Sequence, residues 1–186
     1  MTETKNLTEK FLDPASIIGQ LGIEEGCVVA DFGCGPGYFT FPFAEAVGRK
    51  GTVYSFDILP HILESVESKA KFSKVGNIIT KRVNLEKEHG TKLVENCVDW
   101  VILKDIIFQN KEKEVIIKEA FRILKPGGRA LLIEWANNEN SEATIGPDPQ
   151  LRISENTLKE MFVAEKFSIE SSVDAGNFHY AFVAKK

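Results

Sequence analysis

Cysteine is scarce and unpatterned: Cys27, Cys34 and Cys97 are the only three, an odd number with no C-x-x-C pair. That excludes a disulfide framework and a zinc knuckle, and it makes the reduced cytoplasm the expected compartment. Long apolar runs are missing as well, and the polar start Met1-Thr2-Glu3-Thr4-Lys5 has no apolar core of the kind a secretion signal needs. A soluble, unexported chain with no membrane partner is the expectation. Excess positive charge is absent: 23 Lys and Arg face 27 Asp and Glu, a net charge of −4. Without a basic stripe, nucleic acid is a disfavoured partner. His61, His89 and His179 stand too far apart for metal-ligand spacing, so no metal is expected. No internal repeat and no low-complexity linker divides the chain.

What remains is 186 residues, 43% of them hydrophobic, which suits one globular domain and leaves no room for a second. Short β-branched runs alternate with longer amphipathic stretches. Strands are predicted over 28–32, 52–56, 77–83, 100–103 and 130–134, their near-continuous apolar character pointing to burial on both faces. Asp13-Pro14 announces a first helix stopped by Gly22. Further helices are predicted over 38–47, 60–75 and 112–124. Ser154 caps a helix to 164, after which 167–173 and 179–184 read as an antiparallel hairpin. Strands joined through helices pair in parallel with right-handed crossovers. The expected fold is therefore α/β: a doubly wound, Rossmann-like, mostly parallel seven-stranded sheet with a C-terminal antiparallel hairpin and helices on both faces. Residues 1–25 form an N-terminal helical segment of this single domain, 26–135 its ligand-binding core, and 136–186 a lid loop, helix and terminal hairpin.

One segment carries the strongest chemical signal. Residues 28–37, Val-Val-Ala-Asp-Phe-Gly-Cys-Gly-Pro-Gly, run a buried strand straight into a glycine-rich turn and then a helix. Gly33 and Gly35 permit backbone shapes and close ligand approach that a Cβ would block. The turn lies at a strand's carboxyl end, where open α/β sheets bind ligands. A dinucleotide fingerprint, G-x-G-x-x-G, would need glycine where this chain has Tyr38. A pyrophosphate is thereby disfavoured and a phosphate-free nucleoside cofactor is not. Twenty residues beyond Gly37, Asp57 ends the second strand, where a carboxylate can accept from two ribose hydroxyls. The competing reading makes 33–37 a tight turn and Asp57 a helix cap.

These residues resemble the class I S-adenosylmethionine-dependent methyltransferases, particularly the small ones similar to ubiquinone/menaquinone-biosynthesis methyltransferases, over about residues 26–135. The resemblance implies S-adenosylmethionine as cofactor and S-adenosylhomocysteine as product. It implies that 31–37, with Asp31, Gly33, Cys34, Gly35 and then Tyr38, wraps the methionine part, that Asp57 holds the ribose, and that Ile58 packs on adenine. Asn84-Leu85 stand where the family places a polar group beside the adenine amino edge, or else form a polar turn. Residue 104 usually meets the methionine amine through its carbonyl; Lys104 is an unusual occupant whose side chain is expected to point away. Residues 105–109 would floor the methyl-transfer site, with Phe108 where many relatives carry His. The segment 124–129 before the fifth strand matches as a structural turn.

Methyl transfer from a sulfonium is an in-line displacement that releases a neutral leaving group, so alignment supplies much of the rate and no metal is required. A hydroxyl or ammonium acceptor must lose a proton, and Asp105 is the best-placed candidate base, a cap or cofactor contact being the alternative. Asp31 can receive the cofactor ammonium or stabilise its own loop. Cys34 is expected to be packed rather than reactive. The segment 137–153 is long enough to act as an acceptor lid, in which Arg152 would meet an acidic acceptor or a surface carboxylate. A small-molecule acceptor leads; a protein or RNA acceptor, aided by Lys69, Lys71, Lys74, Lys81 and Arg82, and a non-catalytic cofactor-binding module stay open. The acceptor's identity and the oligomeric state are not legible.

Overall fold

The computed structural model describes residues 11–137 and 145–186. Seven strands form one sheet in the order β3-β2-β1-β4-β5-β7-β6. They are β1 (Val28–Phe32), β2 (Thr52–Asp57), β3 (Ile78–Arg82), β4 (Val98–Lys104), β5 (Leu124–Trp135), β6 (Ser168–Val173) and β7 (His179–Lys185). β1 to β5 pair in parallel, whereas β7 pairs antiparallel with both β5 and β6. The helices are α1 (Pro14–Gly19), α2 (Thr40–Ala46), α3 (Pro60–Phe72), α4 (Lys113–Ile123) and α5 (Glu155–Ala164), with a 3-10 turn at Pro149–Leu151. The chain order reverses between β1 and β4, and the crevice at that reversal is where such sheets place ligands.

Alternation along the strands feeds two apolar layers. Ala30, Phe32, Phe56, Val101 and Leu103 face α4 and α5, which contribute Ile116, Ile117, Ala120, Leu158 and Phe162. Val29, Val53, Trp100, Ile102 and Leu131 face the other way, onto Ile17 of α1 and Phe43, Ala44 and Val47 at α2. Burial on both faces explains the apolar runs 28–30, 100–103 and 130–133 of β1, β4 and β5, whose charged residues lie outside those runs. Helix ends follow local chemistry: Asp13 accepts from Ala15 N ahead of Pro14, and Ser154 Oγ accepts from Thr157 N.

The expected turn at 124–129 is instead part of β5, which begins directly where α4 ends. Lys125 Nζ pairs with Asp99 at 2.8 Å, Gly127 N donates to Lys186 O at 3.1 Å, and Lys186 N donates to Gly128 O at 3.0 Å. The segment thus bulges from the β4–β5 pairing, which resumes at Trp100 opposite Arg129, and the chain end takes up its glycine backbone groups. The predicted helix 60–75 ends earlier, at Phe72, with Lys74 in a left-handed conformation at φ 57°.

Candidate functional site

The turn leaving β1 is built on left-handed glycines: Gly33, Gly35 and Gly37 have φ of 67°, 50° and 84°. A Cβ on Gly33 would lie 2.7 Å from Ile106 Cδ1, so this glycine lets the turn nest against the segment after β4. A Cβ on Gly35 would meet nothing within 4 Å, so main chain lies open to a ligand there. Asp57 ties this turn to the next strand. Its Oδ2 accepts from Gly35 N at 3.2 Å and its Oδ1 from Leu59 N at 2.9 Å. Cys34 is buried, and burial, followed by the charges of Asp31 and Asp57, pushes its thiol far above the ordinary range.

Beneath the turn, Asp31 is 3% exposed and accepts from Thr40 Oγ1 at 2.6 Å. Burial raises its carboxyl to about 6, the Thr40 bond opposes that, Asp57 adds repulsion and Lys104 adds attraction. A buried carboxylate with so little cationic compensation suits an incoming ammonium group. Lys104 is not turned out to water alone: its ammonium pairs with Asp105 and its charge reaches Asp31.

On the β3 side, half-exposed Ile58 and Asn84 line a cavity of about 470 Å³ with Arg82, Lys87 and His89. Asn84 Oδ1 accepts from Glu86 N at 3.0 Å, so it already serves the local turn. Leu85 is buried in the core layer facing α4. Tyr38 donates its hydroxyl to Leu12 O at 2.5 Å and lines a second cavity, of about 190 Å³, with Phe11, Leu12, Lys104, Trp135, Phe178 and His179. Phe11 stacks on Phe178 with ring centroids 5.3 Å apart. Tyr38, next after Gly37, thus borders a small aromatic space, and Ile58, next after Asp57, borders a polar-rimmed one.

Two residues here escaped the sequence reading. Glu134, 1% exposed near the end of β5, accepts from Ile107 N at 2.7 Å and Phe108 N at 3.2 Å, and so holds the turn after β4. Burial, then repulsion from Asp105, raises its carboxyl to about 7. An acid ending a buried strand at the ligand edge was the available signal. His179, which only opened a strand on sequence grounds, is registered opposite Trp135 and packs against it in a tilted arrangement, with ring centroids 4.1 Å apart. Its side chain is 7% exposed, and its Nε2 lies 3.4 Å from Asp105 Oδ1. His61 and His89 are exposed.

Arg152 is engaged with backbone carbonyls of its own segment and of Ala136. Its guanidinium donates to Pro147 O, Ala136 O and Ile145 O at 3.1, 2.8 and 2.8 Å, stapling the described part of the 137–153 segment. Residues 138–144 of the proposed lid lie outside the described residues.

A methyltransferase domain family model matches residues 23–177. The chain belongs to that family. Membership implies S-adenosylmethionine as the cofactor, and open main chain at Gly35, Asp57 across from it and under-compensated Asp31 fit that molecule's ribose and ammonium. The chain is 32% identical over 116 residues to a ubiquinone/menaquinone biosynthesis C-methyltransferase (UbiE) of Haemophilus ducreyi, covering 62% of this chain and 44% of that protein. It is 27% identical over 119 residues to a demethylmenaquinone methyltransferase of a Geobacillus species, covering 62% and 48%. This member thus spans less than half the length of the curated relatives it matches. Among solved structures, a SAM-dependent methyltransferase from Aquifex aeolicus superimposes with a TM-score of 0.84 at 23% identity, over 94% of this chain and 90% of that one. The 4+2 cyclase SpnF shares the fold, with a TM-score of 0.78 at 15% identity over 93% and 80%.

Proposed function

We propose that this protein transfers the methyl group of S-adenosylmethionine to a small-molecule acceptor. The observation that carries the proposal is the glycine turn itself, with main chain open at Gly35, Asp57 bonded across it, and a cavity bordered by the residue that follows each, Tyr38 after the turn and Ile58 after Asp57. A nucleoside-sized cavity opens by Ile58 and Asn84, a cavity of about 190 Å³ with aromatic walls opens by Tyr38 and Trp135, and Lys104 and Asp105 lie at the carboxyl end of β4. In this reading Asp57 accepts from the ribose hydroxyls, Asp31 faces the ammonium, Gly35 leaves main chain free for close approach while Gly33 and Cys34 hold the shape of the turn, and Ile58 and Asn84 bound the adenine space with Leu85 in the core behind them.

The bound cofactor supplies an activated methyl on a positively charged sulfur, and the protein contributes alignment, exclusion of water and a place for any released proton. A pocket of that size holds one small molecule rather than a peptide or an RNA stem. Lys69 and Lys81, part of the basic region a macromolecule would use, lie over the rings of Phe41 and Tyr54 at 4.2 and 5.3 Å. The similarity to a ubiquinone/menaquinone biosynthesis C-methyltransferase and to a demethylmenaquinone methyltransferase supports a small acceptor as well.

Calorimetry against S-adenosylmethionine and NAD tests the cofactor, with saturable uptake of the first alone as the expected result. Release of S-adenosylhomocysteine in the presence of metabolite, peptide and RNA pools tests the acceptor class, and release with the metabolite pool only is expected. Uptake without release in any pool would favour a non-catalytic binding module. Gly35→Ala is the control variant: at φ 50° it should cost about 1 kcal/mol of stability and abolish cofactor uptake while leaving the circular dichroism spectrum unchanged.

A further inference from the structure

Among the described residues, the buried side-chain nitrogen and oxygen atoms without a hydrogen-bond partner are Asp105 Oδ1, Glu134 Oε2 and both ring nitrogens of His179. The Asp105 and His179 atoms lie together, and Glu134, which feels the charge of Asp105, stands near the end of the strand paired with β7. Buried polar groups are nearly always satisfied, because an unmade hydrogen bond in the interior costs most of the group's hydration. Asp105 Oδ1 and His179 Nε2, at the ends of β4 and β7, face each other at 3.4 Å, and with the second ring nitrogen of His179 left open they mark a place built for a partner the folded chain does not itself supply.

The geometry points to His179 as the base that takes a proton from a hydroxyl acceptor, with Asp105 as the residue that positions its imidazole; this rests on the small-molecule methyl-transfer reading above. Asp105 presents two different oxygens. Oδ2 is held by the Lys104 ammonium, and Oδ1 faces His179 Nε2 at 3.4 Å. The backbone at Asp105 is left-handed, φ 53°, which aspartate tolerates better than most residues, and Asp105 N donates to Ile133 O at 2.9 Å. The carboxylate is thus fixed at the tip of β4. A neutral imidazole that donates from one nitrogen toward Oδ1 keeps an acceptor on the other, and only a hydrogen-bond donor can satisfy it. Catalytic contacts in unliganded enzymes are often long and tighten when the substrate seats, which fits the 3.4 Å separation. Among the described residues, no three His, Cys, Asp or Glu side chains converge as metal ligands, so proton handling is the chemistry this cluster offers.

The walls set the acceptor class. His179 lies on Trp135, and the cavity it borders is completed by Phe11, Tyr38 and Phe178. A cavity of about 190 Å³ compares with the roughly 150 Å³ that admits benzene in an engineered protein core. A single aromatic ring bearing a hydroxyl matches both the flat apolar walls and the unfilled acceptor. Lys104 on the rim disfavours a cationic amine. In the transfer step the hydroxyl oxygen forms a bond to the methyl carbon, the carbon–sulfur bond breaks with its electron pair staying on sulfur, and the hydroxyl proton passes to His179. The resulting imidazolium faces Asp105.

The test uses the full chain with phenol and catechol as probes and toluene as the hydroxyl-free control. Catechol and phenol should quench the fluorescence of Trp135 saturably, an effect lost in Trp135→Phe, and with S-adenosylmethionine present they should release S-adenosylhomocysteine. His179→Ala should lower kcat by roughly 10²- to 10⁴-fold with KM little changed, and added imidazole should restore part of the rate. His179→Gln keeps the side chain's bulk and should lose the rate without unfolding. Asp105→Asn should keep catechol binding, lose rate, and gain nothing from imidazole, since its His179 is still present. Failure of both phenols to bind or accept methyl, or a wild-type rate in both His179 variants, would overturn the assignment. Methyl transfer to other metabolites in that case would leave the small-molecule reading standing, whereas failure to take up the cofactor would remove that as well.

Discussion

Asp57 illustrates how one side chain can serve structure and ligand together. It accepts from two backbone amides, Gly35 N and Leu59 N, and so sets the spacing between the glycine turn and the loop after β2. Its carboxylate keeps lone pairs for a diol, since an ionised carboxylate has about four acceptor sites. Asp57→Ala should therefore raise the dissociation constant for S-adenosylmethionine by roughly 10- to 150-fold, the worth of a hydrogen bond to a charged group, measured by calorimetry. Asp31 makes a different prediction, because its carboxyl ionises near 6 in the unliganded protein. An ammonium ligand favours the ionised form, so affinity is full above that value and falls as pH drops through it, approaching a tenfold loss per pH unit. Asp31→Asn should bind more weakly at pH 7.5 and show little of that dependence; an equally steep profile in the variant would place the proton elsewhere.

At the scale of elements, the loop between β3 and β4 borders the proposed adenine space, and a buried ion pair on α4 holds it. Glu119, 3% exposed, accepts from Thr91 N at 3.1 Å and from the Thr91 hydroxyl, and Arg122 Nε donates to it at 2.8 Å while Arg122 Nη2 reaches Leu93 O at 2.9 Å. Burial works against the Glu119 carboxylate, but bonds from Arg122 and Thr91 outweigh it, and its carboxyl lies below the ordinary range. Glu119→Ala should destabilise the fold by about 3 kcal/mol, the low end for breaking a buried pair, because Arg122 keeps part of its water. Denaturant titration checks the value. The same scale shows what the sequence could reveal. The strand, turn and acid at 28–37 and 57 were legible because each signal is local and their spacing is fixed by one β-α-β unit. Asp105 was legible as a candidate base, but Glu134 and His179 were not, because the approach of His179 to Asp105 depends on the antiparallel register that sets Trp135 opposite His179 and on a left-handed residue after β4. The Pro-Gly-Gly segment reads locally as a turn and lies within β5 as the irregularity in its pairing with β4, where the register passes from Val98 opposite Leu124 to Trp100 opposite Arg129 and the chain end at Lys186 bonds Gly127 and Gly128.

For the molecule as a whole, the two carboxyls raised by burial, Asp31 to about 6 and Glu134 to about 7, set an unusual pH dependence. Both bind their proton more tightly folded than unfolded, where carboxyls ionise near 4. The folded state therefore holds more protons between those limits, and stability falls as pH rises through 6 and 7. Glu86, Glu119 and Glu170 are shifted the other way, by backbone amides or by arginine bonds, and their contribution is lost only at or below the ordinary carboxylate range. The unliganded protein should thus be most stable near pH 5, with a melting temperature several degrees higher than at pH 7.5, given about 2 to 4 °C per kcal/mol for a chain of this size. Glu134→Gln and Asp31→Asn should each flatten the rise. S-adenosylhomocysteine should raise the melting temperature more at pH 7.5 than at pH 5, because its ammonium relieves the ionised Asp31 and gains little from the protonated one. Melting curves with and without that ligand at the two pH values decide the matter, and a ligand shift that is equal at both would show that Asp31 does not face the ammonium.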